Sequence, residues 1–142
     1  MGLVHATSGE NIESILENGI LLPEEKKSNY PNSSHRRVYL QYQEEGMYGF
    51  AWGPNLILIN DLWVRDNSQH LLGFYAQDEF PELQEEFKEY LAKYNIKEVA
   101  DGRNDLDFAY FQVVSEINIP EEAITGIVTQ STKMAFYRSP EP

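Results

Sequence analysis

Three side chains with useful chemistry stand in short apolar segments far apart in the chain: His5, Tyr39 and Glu116. An imidazole can hydrogen-bond to ribose hydroxyls, and a phenol ring can stack on a flat cationic heteroaromatic ring. A carboxylate can stabilise the positive charge that develops when a glycosidic bond breaks. Gathered in one cleft, the three groups could hold a dinucleotide and cleave it. The segments that carry them, Leu3–Thr7, Val38–Leu40 and Val114–Ile117, each read as a β-strand.

Each of these residues also has a purely structural interpretation. A histidine at a strand end can bond the adjoining loop, an aromatic residue can simply pack, and a charge on a strand most often faces solvent. Glu116 is the most informative of the three, because it interrupts an otherwise largely apolar run from Val113 to Ile119. Thr7 stands where it could assist His5 in bonding hydroxyl groups.

The element after His5 is a well-marked helix. Ser8 occupies an N-cap position, and Ile12, Ile15 and Leu16 follow the spacing of a buried helix face. Gly19 is the expected C-terminal residue in the left-handed conformation. The segment therefore predicts a strand that ends beside the start of a helix. Such a strand end is open to a cleft, where His5 could contact a ligand.

The clearest helix is predicted over Pro81–Tyr94, with an apolar stripe facing the core and glutamates facing solvent. Segment 46–53 is expected to form a helix turn or a packed loop, and 120–123 a turn. Further strands are predicted at 37–42, 55–60, 70–76, 108–119 and 124–130, with a polar loop at 24–35 and a turn at 101–105. This irregular alternation, with no repeat or linker, predicts one α+β domain over residues 1–142.

Composition narrows the function classes. With 23 acidic and 11 basic residues among 142, the formal net charge is −12, which disfavours general binding to phosphate backbones and permits a negative surface that meets a basic partner. There is no cysteine, no secretory signal and no apolar run of membrane-spanning length, so a cytoplasmic protein without membrane contact is expected. The three histidines lack the short spacing typical of a zinc site, and no metal site is predicted.

The two ends of the chain resemble the ADP-ribosyltransferase fold. The first is His5–Ile20 followed by Arg36–Leu40, which is similar to the opening H-x-T strand, short helix and second strand of DarT-type ADP-ribosyltransferases and, more distantly, of NAD-using RNA 2′-phosphotransferases. The second is Ser115–Ile124, which resembles the catalytic-glutamate strand of the DarT type. Residues 46–108 have no counterpart in this resemblance. It implies a split β-sandwich with peripheral helices.

The resemblance also implies roles for individual residues. His5, assisted by Thr7, would bind the cofactor ribose, and the backbone of Ala6 would hold the nicotinamide amide. Tyr39 would stack on the nicotinamide ring, and Glu116 would accept a hydrogen bond from the ribose 2′-hydroxyl. The pyrophosphate of NAD needs cationic partners, for which the candidates are Arg36, Arg37 and Arg103.

Three departures from the family pattern qualify these roles. Ala6 stands where many relatives have glycine, so its Cβ slightly narrows the space in which a ligand can approach the backbone. Val114 stands where arginine-directed enzymes carry glutamate or glutamine. Tyr39 replaces the histidine expected in the second strand of a 2′-phosphotransferase.

The expected function is NAD-dependent mono-ADP-ribosyltransfer, with NAD as co-substrate and a protein or nucleobase as the macromolecular acceptor. NAD hydrolysis is the lesser variant. The alternative is a catalytically inactive protein of the same fold, of the kind used by phage or mobile elements, whose acidic surface blocks a basic or nucleic-acid-binding protein.

Overall fold

The computed structural model describes residues 2–23, 37–43, 49–50, 52–75, 80–99, 111–130 and 134–137. These residues form an α+β structure with one eight-stranded sheet, in the order β5-β4-β6-β2-β1-β3-β7-β8. Neighbouring strands are antiparallel except the parallel pair β4 and β5. The strands are Gly2–Thr7 (β1), Val38–Gln43 (β2), Asn55–Ile59 (β3), Leu71–Phe74 (β4), Lys97–Val99 (β5), Gln112–Ser115 (β6), Ile124–Thr129 (β7) and Met134–Tyr137 (β8).

The first helix, α1, runs over Ile12–Asn18 and follows a short 3-10 turn. Its start differs in one detail from the prediction, because the Ser8 side chain makes no capping hydrogen bond. Its end agrees with the prediction. Gly19 has φ of 79°, and a Cβ there would collide with the carbonyl oxygen of Ile119. Only glycine therefore fits, because L side chains are strained at that φ and the space is already occupied.

The long helix, α3, spans Pro81–Lys93 and confirms the predicted amphipathic pattern. Phe87, Tyr90 and Leu91 are buried, and Leu83 and Tyr94 pack partly buried against the same cluster. Gly73 on β4 allows this close packing, because a Cβ there would lie 2.7 Å from the Leu91 side chain. A third helix, α2, spans Asp61–Asp66.

All three helices pack on one face of the sheet. Ile15 of α1, Val64 of α2 and Phe87 of α3 belong to the main core, together with Leu40 and Ile57 of the sheet. We call this the helix-covered face. The opposite face carries a smaller cluster of Val4, Leu56 and Val128, with Ala6, Phe50 and Leu58 packed against it. No helix in the described part of the chain packs on that second face.

One predicted strand is shorter in the structure, and three observed elements were not predicted. Instead of a strand over 108–119, β6 ends at Ser115, where the chain bends; Ile119 then pairs with Ile20. The helix α2 and the strands β5 and β8 were not predicted. The predicted loop at 24–35, the predicted turn at 101–105 and half of segment 46–53 (residues 46–48 and 51) lie outside the described residues.

Candidate functional site

One edge of the sheet brings together the strand ends that carry the predicted site residues. The strands β6, β2 and β1 are neighbours in the sheet, and their antiparallel pairing places the end of β6, the start of β2 and the end of β1 at the same edge. Neighbouring strands lie about 4.8 Å apart, so the strands of His5 and Glu116 are separated by about 10 Å. The backbone thus gathers these predicted residues at one edge of the sheet.

The ladder between β1 and β2 stops before it reaches this edge. The strands pair from Gly2 with Gln43 up to Val4 with Gln41, although β1 continues to Thr7 and β2 begins at Val38. On its other side, β1 stays paired with β3 as far as Thr7. The sheet is therefore open between its first two strands at the predicted site.

The direction of the backbone groups follows from the alternation along each strand. The Tyr42 N–H donates to the Phe111 carbonyl on the β6 side, so the N–H and C=O of Tyr39 point towards β1. By the same alternation, the Ala6 N–H points towards β2. Because the ladder ends at Val4, this N–H has no ladder partner there. It is the group that the family resemblance assigns to the nicotinamide amide.

His5 bridges the opening with its side chain. Its Nδ1 lies 2.9 Å from the Tyr39 carbonyl oxygen. A carbonyl only accepts, so Nδ1 carries the proton and donates it. Burial lowers the pKa of His5, and the bond to Tyr39 offsets this only in part. The imidazole is therefore neutral near pH 7, and its Nε2 presents a lone pair that can accept from a hydroxyl group.

The side chains of His5 and Tyr39 leave the sheet on opposite faces. Residues directly opposite each other in antiparallel strands share a face. His5 is opposite Ile57, which lies on the helix-covered face, whereas Tyr39 is opposite Val114 on the second face. Ala6 is opposite Leu56 and shares the second face with Tyr39. The two rings thus lie on opposite faces of the sheet, on either side of the opening between β1 and β2.

Glu116 follows directly after β6 and is exposed. Its N–H donates to the His70 carbonyl at 3.0 Å, which extends the β6–β4 ladder by one residue. Because this bond continues the β6 pattern by one residue, the alternation of side chains places the Glu116 carboxylate on the same face as Tyr39. Ser115 Oγ donates to the Ile117 carbonyl at 2.7 Å and accepts from the Ile117 N–H at 3.2 Å. These two bonds to the backbone stabilise the bend that follows β6.

The predicted phosphate contacts are only partly described. Arg37 lies next to the start of β2, and its guanidinium carbon is 5.8 Å from the centroid of the Phe74 ring. This cation–π contact fixes the charge close to the second face. Arg36 and Arg103 lie outside the described residues.

A polar network around the buried residues Thr7 and Asn55, at the same edge of the sheet, was missed by sequence reasoning. Thr129 Oγ1 donates to Asn55 Oδ1 at 3.0 Å, Asn55 Nδ2 donates to the Thr7 carbonyl at 3.5 Å, and Asn11 Nδ2 donates to Thr7 Oγ1 at 3.3 Å. Gly53 packs against the Thr7 backbone, where a Cβ would lie 3.0 Å from the Thr7 nitrogen. Asn55 directly before an apolar run was the one available signal. The network ties the end of β1 to β3.

Two kinds of feature are absent from the described residues. No group of three or more histidine, aspartate or glutamate side chains among them is arranged to hold a metal ion. None of their helices combines the length and apolar character needed to cross a membrane.

The comparisons with known proteins were also negative. No protein-family model, curated protein or solved structure matches the chain.

Proposed function

We propose that this chain is an NAD-dependent mono-ADP-ribosyltransferase with a split β-sandwich fold. The observation that carries the proposal is the opening of the sheet between β1 and β2, next to β6, the strand that Glu116 directly follows. In this opening the Ala6 N–H points towards β2 beyond the last paired residue, Val4, and so has no partner in the β-ladder. A carboxamide such as that of nicotinamide supplies the matching acceptor.

The ligand would lie across the strand ends on the second face. Its carboxamide oxygen would accept from the Ala6 N–H, and its ring would stack on Tyr39, which shares that face. The cationic nicotinamide ring is a suitable partner for the π-face of a phenol. The adjoining ribose would then lie towards Glu116 on the next strand.

His5 would contribute from the edge of the opening. With Nδ1 bound to the Tyr39 carbonyl, its Nε2 accepts from a ribose hydroxyl of the dinucleotide. Because β1 and β2 leave His5 and Tyr39 on opposite faces, this contact requires the ribose to enter the opening itself. Arg37, at the start of β2, would supply positive charge for the pyrophosphate.

The reaction needs a stabilised cation more than a strong acid. The bond between C1′ and the nicotinamide nitrogen breaks, and its electron pair stays on that nitrogen, so nicotinamide leaves neutral. Positive charge then develops at C1′ and the ring oxygen. Glu116, bound to the 2′-hydroxyl, would stabilise this charge more in the transition state than in the ground state. The acceptor's lone pair forms the new bond to C1′, and the acceptor loses its proton to solvent.

The test is nicotinamide release from NAD by wild type, Glu116→Gln and Glu122→Gln. Glu122 is an exposed acid six positions further along and serves as the matched control. We expect release by wild type and the control, and a loss of about 100-fold or more in Glu116→Gln, as for removal of a key electrostatic group. All three proteins should show an NAD-induced rise in melting temperature, because the substitution removes charge and not the binding surface.

Radiolabel in the adenosine part of NAD separates transfer from hydrolysis. Label retained on macromolecules of a cell extract indicates transfer, and label found only as free ADP-ribose indicates hydrolysis and contradicts the transferase proposal. A wild type that releases no nicotinamide and is not stabilised by NAD overturns the proposed function altogether.

That last result would favour the alternative, an inactive acidic interaction protein. One observation supports it: Glu82, Glu85 and Glu89 form an exposed acidic row on α3, which suits contact with a basic protein.

A further inference from the structure

We infer that His5 is a positioning residue that holds β1 and β2 apart and keeps the Ala6 N–H available to a ligand. Its importance for ADP-ribosyl transfer rests on the proposed function, but the separation of the two strands does not. The inference starts from a competition for one acceptor, the carbonyl oxygen of Tyr39.

In a continuous ladder, this carbonyl would accept from the Ala6 N–H. The registers Gly2 with Gln43 and Val4 with Gln41 extend by two residues to Ala6 with Tyr39, and the alternation points both backbones at each other. The observed partner of the carbonyl is instead Nδ1 of His5, at 2.9 Å. The imidazole therefore occupies the place that the next ladder bond would take.

The bond is also stable against changes at the other nitrogen. Nδ1 carries a proton in both the neutral and the charged imidazole when it faces a carbonyl, so the bridge persists whether or not Nε2 gains a proton. On its other side, β1 has no such gap, because it stays paired with β3 up to Thr7 with Asn55. The opening is thus confined to the side on which His5 acts.

Two substitutions separate the role of Nδ1 from that of Nε2. In His5→Asn, the amide nitrogen lies at the position of Nδ1 and can still donate to the Tyr39 carbonyl, but nothing replaces Nε2. In His5→Gln, the longer side chain places its amide near the position of Nε2 and leaves the position of Nδ1 empty. His5→Ala removes both groups.

The measurement is amide hydrogen exchange by NMR, with the Val4 amide as internal reference. Val4 pairs with Gln41 in the closed part of the ladder, so its amide reports the stability of the sheet itself. In the wild type, we expect the Ala6 amide to exchange faster than that of Val4. In His5→Ala and His5→Gln, we expect it to slow by about tenfold or more as the ladder closes. In His5→Asn, it should keep the wild-type rate.

An Ala6 amide that exchanges at the wild-type rate or faster in both His5→Ala and His5→Gln overturns the inference. So does slowing in His5→Asn that equals the slowing in His5→Ala. Nicotinamide release by the same variants gives a separate result. If the exchange pattern holds but the wild type has no activity on NAD, the strand-spacing role stands and only the proposed function fails.

Discussion

At the scale of single residues, protonation states decide what the site can offer. The Tyr39 carbonyl fixes the tautomer of His5, and burial keeps the ring neutral near pH 7. A neutral imidazole with Nδ1 as donor presents an acceptor at Nε2. The sequence predicted a histidine that bonds hydroxyl groups. Only the contact with Tyr39 decided that the free nitrogen accepts.

A second titrating residue, Asp61, lies away from the site at the start of α2. Tyr90 Oη donates to its Oδ1 at 3.2 Å. Burial raises the pKa of the Asp61 carboxyl above the ordinary 3.8, more than the Tyr90 hydrogen bond and the Lys93 charge lower it. Burial and the nearby Asp61 charge also raise the pKa of Tyr90, so that phenol keeps its proton.

This raised pKa has a defined effect on stability. The folded state binds the Asp61 proton more tightly than the unfolded chain, so the protonated carboxyl stabilises the fold below the unfolded pKa, about 4, and this contribution is lost as pH rises through the higher folded value. Asp61→Asn keeps an acceptor for Tyr90 and does not titrate. We therefore expect its free energy of unfolding, measured in urea, to gain on that of the wild type as pH rises from about 4 to 7.

The control is Asp66→Asn, since Asp66 is an exposed acid at the other end of α2. Its difference from the wild type should lack this upward trend. An Asp61→Asn variant whose relative stability falls between the same pH values contradicts the assignment.

At the scale of elements, β1 is held firmly on one side and released on the other. The Asn55–Thr129 network joins β1, β3 and β7, and Gly53 packs against the end of β1. On the β2 side, the side chain of His5 bridges the two strands by its bond to the Tyr39 carbonyl. The candidate site thus lies where the pairing between two central strands of the sheet, β1 and β2, ends.

Two threonines on β7 test how much the network contributes. Thr129→Val leaves the buried Asn55 Oδ1 without its Thr129 donor, so we expect a loss of about 1–3 kcal/mol in the free energy of unfolding. Thr125→Val is the matched control. Thr125 Oγ1 donates at 3.3 Å to the Leu58 carbonyl, which also faces Gly126 in the β3–β7 ladder. Its removal should cost less, about 0.5–1.5 kcal/mol.

Chemical denaturation of both variants provides the measurement, and the amide chemical shifts of Ala6 and Thr7 provide the local readout. Shift changes are expected in Thr129→Val and not in Thr125→Val. Equal costs and unchanged shifts in both variants would contradict a role for the network in anchoring the end of β1.

At the scale of the whole molecule, the net charge of −12 opposes compactness through self-repulsion. The salt bridge between Arg65 and Asp66 is exposed and joins residues adjacent in sequence, so it offsets little of this repulsion. The acidic row on α3 contributes three of the 23 acidic side chains.

Salt should therefore stabilise the protein. Between about 10 mM and 150 mM NaCl the screening length falls from about 30 Å to about 8 Å, so the melting temperature is expected to rise. A triple variant with Glu82, Glu85 and Glu89 changed to glutamine should show a smaller rise, because three of the repelling charges are gone. A melting temperature that falls with salt in the wild type would contradict this view of the charge balance.

Much of the secondary structure could be predicted from the sequence, because the signals for it are local. The capping glycine at Gly19, the proline at Pro81 and the helical stripe of α3 each depend on residues within a few positions of one another. The α+β class followed from the mixture of such segments. The short edge strands β5 and β8 were missed, because pairing with a distant strand, and not local pattern, makes them strands.

The sequence by itself determined which side chains could act and that apolar strands would carry them. Only the tertiary structure decided how they face one another. Sheet order made β6, β2 and β1 neighbours, and register put Tyr39 and Ala6 on one face and His5 on the other. A shift of one residue in pairing would exchange those faces. Register depends on contacts between residues far apart in the chain, and for that reason no local pattern reveals it.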